Sequence, residues 1–182
     1  MNLNDLQFVL PSMQASILNA EFTFMNPRPQ ELHFASSYIN QLVINPTGKI
    51  WKNLIQTCKY FYHKKSTFPI CLLSNKYGSY WNADGHIIDS KCGLPKLWLY
   101  DSIHSSAISC MDKVAAAICK SDLKNIYIAH QSLSWSDYQI LTSSRSLESL
   151  HFYICSFKYS DGTYVTMDKL LGNIRHLYNF KM

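Results

Sequence analysis

A chain of 182 residues and 21.0 kDa is long enough to bury a core of its own, as one domain or two small ones. With 47% apolar and 16% charged residues and only 6 Gly and 6 Pro, it falls outside the disordered, collagenous and low-complexity classes. The net charge of +5 is uneven: residues 1–48 hold Asp5, Glu21, Glu31 and Arg28, net −2, which leaves +7 on the remainder.

In chain order, residues 10–20 read as a helix entered through Pro11, with Met13, Ile17 and Leu18 turned inward. Pro27 and Pro29 mark a loop, and a second helical stretch near Glu31 to Val43 carries Leu32, Ala35, Ile39 and Leu42 at helical spacing. After the Asn45-Pro46-Thr47-Gly48 turn comes the clearest helix. Its stripe is Trp51, Leu54, Ile55, Cys58, Phe61 and Tyr62, while Lys49, Lys52, Gln56 and Lys59 occupy the other side. A helical head therefore ends near Lys65.

From residue 66 onward the texture is repetitive. Leu94-Pro95-Lys96-Leu97-Trp98-Leu99, Leu123-Lys124-Asn125-Ile126-Tyr127-Ile128 and Leu147-Glu148-Ser149-Leu150-His151-Phe152 all fit L-x-x-L-x-L, and Ile174-Arg175-His176-Leu177 begins a fourth copy. The starts lie 29, 24 and 27 residues apart, within the spacing of leucine-rich repeats. Phe68, Cys71 and Leu73 form a fainter earlier copy. Between these short strands the pattern turns helical: Ala107 to Ile118, then a stretch opened by the capping box Ser134-Trp135-Ser136-Asp137, then Thr166 to Leu171 before Gly172. The expected architecture is α/β. A small N-terminal helical region (1–65) precedes a short leucine-rich-repeat-like solenoid (66–182) of parallel strands alternating with helices. An ordinary α/β domain with coincidental spacing is the alternative.

In such an array the L-x-L leucines point to the core and their neighbours to an open face. That places Trp98, Tyr127, His151 and Tyr178 in one column and Tyr100, Ala129 and Tyr153 in the next. Tyr and Trp on an open face read as partner anchors. The competing reading has the same face covered by the chain's own N-terminal part. The five lysines from Lys49 to Lys65, interleaved with Tyr60 and Tyr62, read as the solvated side of a helix or, less favourably, as a nucleic-acid strip. The chain has only three arginines.

The six cysteines form no C-x-x-C pair and have no histidine at zinc spacing, so buried free thiols are expected and no metal. The only Asn-x-Thr, Asn45-Pro46-Thr47, carries a proline that forbids glycosylation. No P-loop, G-x-G-x-x-G, H-E-x-x-H or G-x-S-x-G string occurs, and the expectation is a chain without catalysis or cofactor. No stretch reaches the roughly 18 apolar residues of a membrane span, and the N-terminus lacks the basic and apolar regions of a signal peptide. A cytoplasmic or nuclear location is expected.

Leu10-Pro11 followed by Ile17-Leu18, then Trp51-Lys52-Asn53-Leu54-Ile55-Gln56-Thr57-Cys58-Lys59-Tyr60-Phe61, then the repeat starts at Leu123 and Leu147, resemble the nematode families of F-box-type proteins. Met13 departs from the acidic residue usual two places after the proline; the Ile-Leu pair falls one residue early and the Trp falls late. The resemblance implies a head docked on a Skp-type adaptor of a cullin-RING ubiquitin ligase, with repeats that hold the protein to be ubiquitinated. It assigns Leu10, Pro11, Ile17, Leu18 and Trp51 to contacting or supporting the adaptor surface.

Overall fold

The computed structural model describes residues 36–77, 79–106, 111–172, 174 and 177–182. The first described helix, α1, spans Ser36–Ile44. Thr47 then opens α2 (Gly48–Thr57) by accepting a hydrogen bond from the Ile50 N–H at 3.3 Å, the usual work of a threonine N-cap. The single amphipathic helix expected through Tyr62 is instead two. Cys58 adopts an extended conformation (φ −151°, ψ 120°), ends α2 and starts α3 (Lys59–Lys64). Trp51, Cys58 and Phe61 are nevertheless all buried, so the apolar stripe survives the break. These helices and the sheet that follows belong to one compact unit, residues 35–182.

After α3 the chain runs through β1 (Phe68–Tyr77), β2 (Tyr80–Ala83), β3 (His86–Asp89), a single 3₁₀ turn at Ser90–Cys92 and β4 (Leu97–Ser105). It continues through α4 (Met111–Ala117), β5 (Ile118–Ser121), β6 (Asn125–Ala129), β7 (Ser132–Ser134), α5 (Trp135–Leu141), β8 (Ser149–Tyr153), β9 (Ser156–Lys158), α6 (Met167–Gly172) and β10 (Asn179–Lys181). The main sheet has the order β10-β8-β6-β4-β1-β2-β3, with β5 also paired to β4. Strands β1, β4, β6, β8 and β10 run parallel to one another, and β2 and β3 close the β1 edge as antiparallel strands. A separate pair, β7 and β9, is also parallel. The chain is thus a mixed α/β protein with a largely parallel central sheet and helices.

Helices α4, α5 and α6 cover one face of the sheet. Ile103, Ile126 and Leu150 form a row of paired residues across β4, β6 and β8, and they share a core with Met111, Val114, Tyr138, Leu141 and Leu170 from the helices. Helix α5 begins with the capping box read from the sequence: the Asp137 N–H donates to Ser134 Oγ, and Asp137 Oδ2 accepts from the Ser134 N–H. Tyr138 follows it inward. Its hydroxyl donates to the Leu170 carbonyl at 2.5 Å, tying α5 to α6, and burial pushes the phenol's pKa up.

Beta strand β4 carries a bulge that the sequence reading did not anticipate. Ile70 pairs with Leu99 but Leu72 pairs with Ser102, so Cys71 on β1 faces both Tyr100 and Asp101. The backbone N–H groups of Cys71 and Leu72 both donate to the Asp84 carboxylate, at 3.0 and 2.7 Å. Asp84 sits in the two-residue turn between β2 and β3, where it and Gly85 both have positive φ (52° and 94°), as an Asp-Gly hairpin turn requires. The same carboxylate receives Lys52 Nζ from α2 at 2.6 Å. Charge-assisted bonds of this kind contribute about 1.5–3 kcal/mol each where partly buried. Asp84→Ala is therefore expected to lower unfolding free energy by about 3 kcal/mol in urea titrations, and Lys52→Met by no more than about 1 kcal/mol. Equal losses for the two variants would show that the bulge does not depend on the carboxylate.

Candidate functional site

Opposite the face covered by α4–α6, the sheet presents a second face whose residues follow from the observed register. His104 pairs with Tyr127, Tyr127 with His151, and His151 with Lys181, one residue from each of β4, β6, β8 and β10. The row continues the other way through Ser74, Asn82 and Ile87. Rings in the row meet edge to face: His104 and Tyr127 at 6.2 Å, Tyr127 and His151 at 6.5 Å. A parallel row of small polar residues runs beside it, Ser102, Asn125, Ser149 and Asn179, and Ala129 pairs with Tyr153 one step further along. Ser149 Oγ lies 3.3 Å from His151 Nε2. A shallow groove of about 520 Å³ is lined by Tyr127, His151, Tyr153, Lys181 and their neighbours.

The sequence-predicted columns are only partly in place. Tyr127 and His151 share a row as expected, Tyr127 exposed and His151 half-buried. Tyr153 is 57% exposed. Tyr178 is 90% exposed but precedes β10, and the position beside His151 belongs to Lys181. Trp98 does not stand in the file at all: it is fully buried, and His104, six residues later on the same strand, occupies the position expected for it. The reason is register. Strand β4 is nine residues long and contains two alternating segments; Leu97-Trp98-Leu99 pairs with β5 and Ile103-His104-Ser105 pairs with β6. A six-residue slip preserves inside-outside alternation, so hydrophobic pattern alone does not reveal it.

Trp98 is enclosed by the chain itself. Lys120 Nζ lies 3.9 Å from its ring centroid and Lys65 Nζ 5.0 Å, and its indole N–H donates to Asp122 Oδ2 at 2.7 Å. Asp122 also pairs with Lys120 at 3.0 Å. Tyr100 is half-buried beneath the first turn of α2, where Gly48 lies so close to its ring that no Cβ has room. Burial pushes the Tyr100 phenol's pKa up, and neighbouring Cys71, Asp84 and Asp101 act in the same direction. At this end of the face the covering N-terminal helices, rather than a free partner surface, describe Trp98 and Tyr100.

Among the residues assigned to the adaptor by resemblance, Leu10, Pro11, Ile17 and Leu18 lie outside the described residues. Trp51 is fully buried, its indole N–H donating to the Thr67 carbonyl at 3.3 Å. The lysine strip is divided in use: Lys52 is held by Asp84, Lys64 lies 5.2 Å from the Tyr60 ring, and Lys65 lies between Trp51 and Trp98. Cys71, Cys92, Cys119 and Cys155 are free thiols, and burial raises the pKa of Cys119 and Cys155. No group of three His, Cys, Asp or Glu gathers at metal-binding distance among the described residues. No helix of the described residues is long and apolar enough to cross a membrane.

Residues missed by sequence reasoning are His104, Asn125, Asn179 and Lys181. Their signal is the alternation of each strand, usable only once pairing is known. The two tryptophan and tyrosine environments make a direct test. Trp98→Ala should lose roughly 3–5 kcal/mol in chemical denaturation, as large-to-small changes in cores do, whereas Tyr153→Ala should stay within about 0.5 kcal/mol of the parent. Comparison with protein-family models, with curated proteins and with solved structures returned no match.

Proposed function

We propose that this chain is a non-enzymatic recognition protein whose open sheet face holds a protein partner, and whose N-terminal segment docks it on a Skp-type adaptor as a substrate receptor of a cullin-RING ubiquitin ligase. Its place of action on this reading is cytoplasmic or nuclear. The observation that carries the recognition role is the set of rings on β6 and β8, Tyr127 and Tyr153 exposed and His151 half-buried, on a sheet face that α4, α5 and α6 leave uncovered. Such rings supply large contact area at low entropic cost.

A leucine-rich-repeat-like stacking is part of the proposal. The segments Leu123 to Leu133 and Leu147 to Phe157 carry L-x-x-L-x-L-x-x-z-x-L in step, with z Gln131 and Cys155. Each z side chain reaches back to the preceding strand: Gln131 Nε2 donates to Ser105 Oγ at 2.5 Å, and Cys155 Sγ donates to the Ile128 carbonyl at 3.3 Å. Ser105 and Ile128 are paired positions of β4 and β6, so residues at the same place in successive segments reach the same place on the preceding strand, one to a hydroxyl and one to a carbonyl, which supports a repeating unit.

A second reading, a recognition scaffold that works without an adaptor, is favoured by Trp51, which the resemblance assigns to the adaptor side and which packs fully inside. The two separate in one experiment. Purified full chain is mixed with a Skp-type adaptor and cullin scaffold. Capture that is lost on Ile17→Asp with Leu18→Asp supports the ligase role, and no capture by the intact chain leaves the scaffold. In either case Tyr127→Ala with Tyr153→Ala should weaken partner binding by at least about 2 kcal/mol while leaving the melting temperature unchanged. Unchanged partner binding would remove the open face from recognition.

A further inference from the structure

We infer that the open face of β4, β6, β8 and β10 receives an extended acidic segment of a partner protein, laid across the strands; the inference rests on the recognition role given to this face. The strand positions directed to it are residues 102, 104, 125, 127, 129, 149, 151, 153, 179 and 181. None of them is Asp or Glu, and every polar one carries an N–H or O–H donor. Lys181 supplies an ammonium that forms no ion pair among the described residues. The adjoining carboxylates lie off these positions: Asp101 is in the bulge, where Ser102 Oγ donates to it at 2.6 Å, and Glu148 precedes β8.

Charge complementarity decides among partners. A carboxylate entering the groove meets Lys181 and the donors of Tyr127, His151 and Tyr153, whereas a lysine or arginine meets Lys181 and no Asp or Glu side chain in the groove lining. A nucleic-acid backbone calls for several ammonium or guanidinium groups along its track, and these four strands place one on the face. The dimensions suit a peptide. At roughly 4.8 Å between strands, His104 and Lys181 are separated by about 14 Å across the sheet. An extended chain sets same-side residues about 6.7 Å apart, so about five residues place three side chains along the row. Tyr127 and Tyr153 offer rings to the apolar parts of such a segment.

The test is selection of a random-peptide display library on the purified full chain, with the Tyr127→Ala, Tyr153→Ala double variant as the subtraction control. Recovered peptides should be enriched in Asp and Glu. Their binding should weaken about tenfold on Lys181→Glu, a reversal at a solvent-exposed position, with an unchanged far-ultraviolet spectrum and melting temperature. Peptides that are neutral or basic, acidic peptides indifferent to Lys181→Glu, or peptides displaced by a mixed-sequence single-stranded oligonucleotide would each overturn the inference. Neutral peptides that are lost with the tyrosine variant remove the acidic preference and leave the recognition role standing. If no peptide depends on the two tyrosines and partner capture is equally indifferent to them, both readings fall.

Discussion

Three parts of this chain meet at the carboxylate of Asp84. Strand β4 has one residue more than β1 between their matched pairs, and the mismatch turns two consecutive N–H groups of β1, at Cys71 and Leu72, toward the hairpin turn instead of along a regular ladder. A part-buried backbone donor such as that of Cys71, left without an acceptor, costs about 1–3 kcal/mol, whereas the exposed Leu72 donor is open to water. Asp84 satisfies both and uses its remaining capacity on Lys52, which anchors α2 over the same end of the sheet. The antiparallel edge, the bulge and the covering helix are therefore one arrangement. Its local requirement is an Asp-Gly turn in which both residues accept positive φ.

That arrangement decides what is buried on the non-helical face of the sheet. Helix α2 brings Gly48 onto the ring of Tyr100, and Lys65, just after α3, places its ammonium near both Trp51 and Trp98. Ammonium groups over an indole face gain from its quadrupole, and the Trp98 N–H is taken by Asp122. Beyond this end no helix of the described residues covers the same face, because α4, α5 and α6 all pack against the opposite one. The result is a sheet face with a closed part, built from Trp51, Trp98 and Tyr100, and an open part, built from His104, Tyr127, His151 and Tyr153.

Much of the architecture is legible in the residue pattern. The L-x-x-L-x-L segments at Leu123 and Leu147 become β6 and β8 in parallel register, with Ile126, Ile128, Leu150 and Phe152 buried. The Ser134 to Asp137 signature opens a helix, and Thr166 to Gly172 contains another. These succeed because capping and strict alternation are local effects that a short window contains in full. Less legible were the break at Cys58 and the β2–β3 hairpin, although its Asp84-Gly85 pair is a strong turn signal. The stripe from Trp51 to Tyr62 keeps its apolar side through an extended residue, so periodicity does not register the break.

By itself the sequence determined which residues alternate, where α5 begins and that strands and helices take turns, since these depend on neighbours a few positions away. Tertiary structure alone decided which neighbour each strand takes. Two segments of β4 carry the same alternation, and only the competition of β5 and β6 for its edge assigns Trp98 to the interior and His104 to the open row. The physical reason is that a slip by an even number of residues leaves every side chain on its own face. In the register observed, residues distant in the chain close around one indole ring, Lys65 and Lys120 over its face and Asp122 at its N–H.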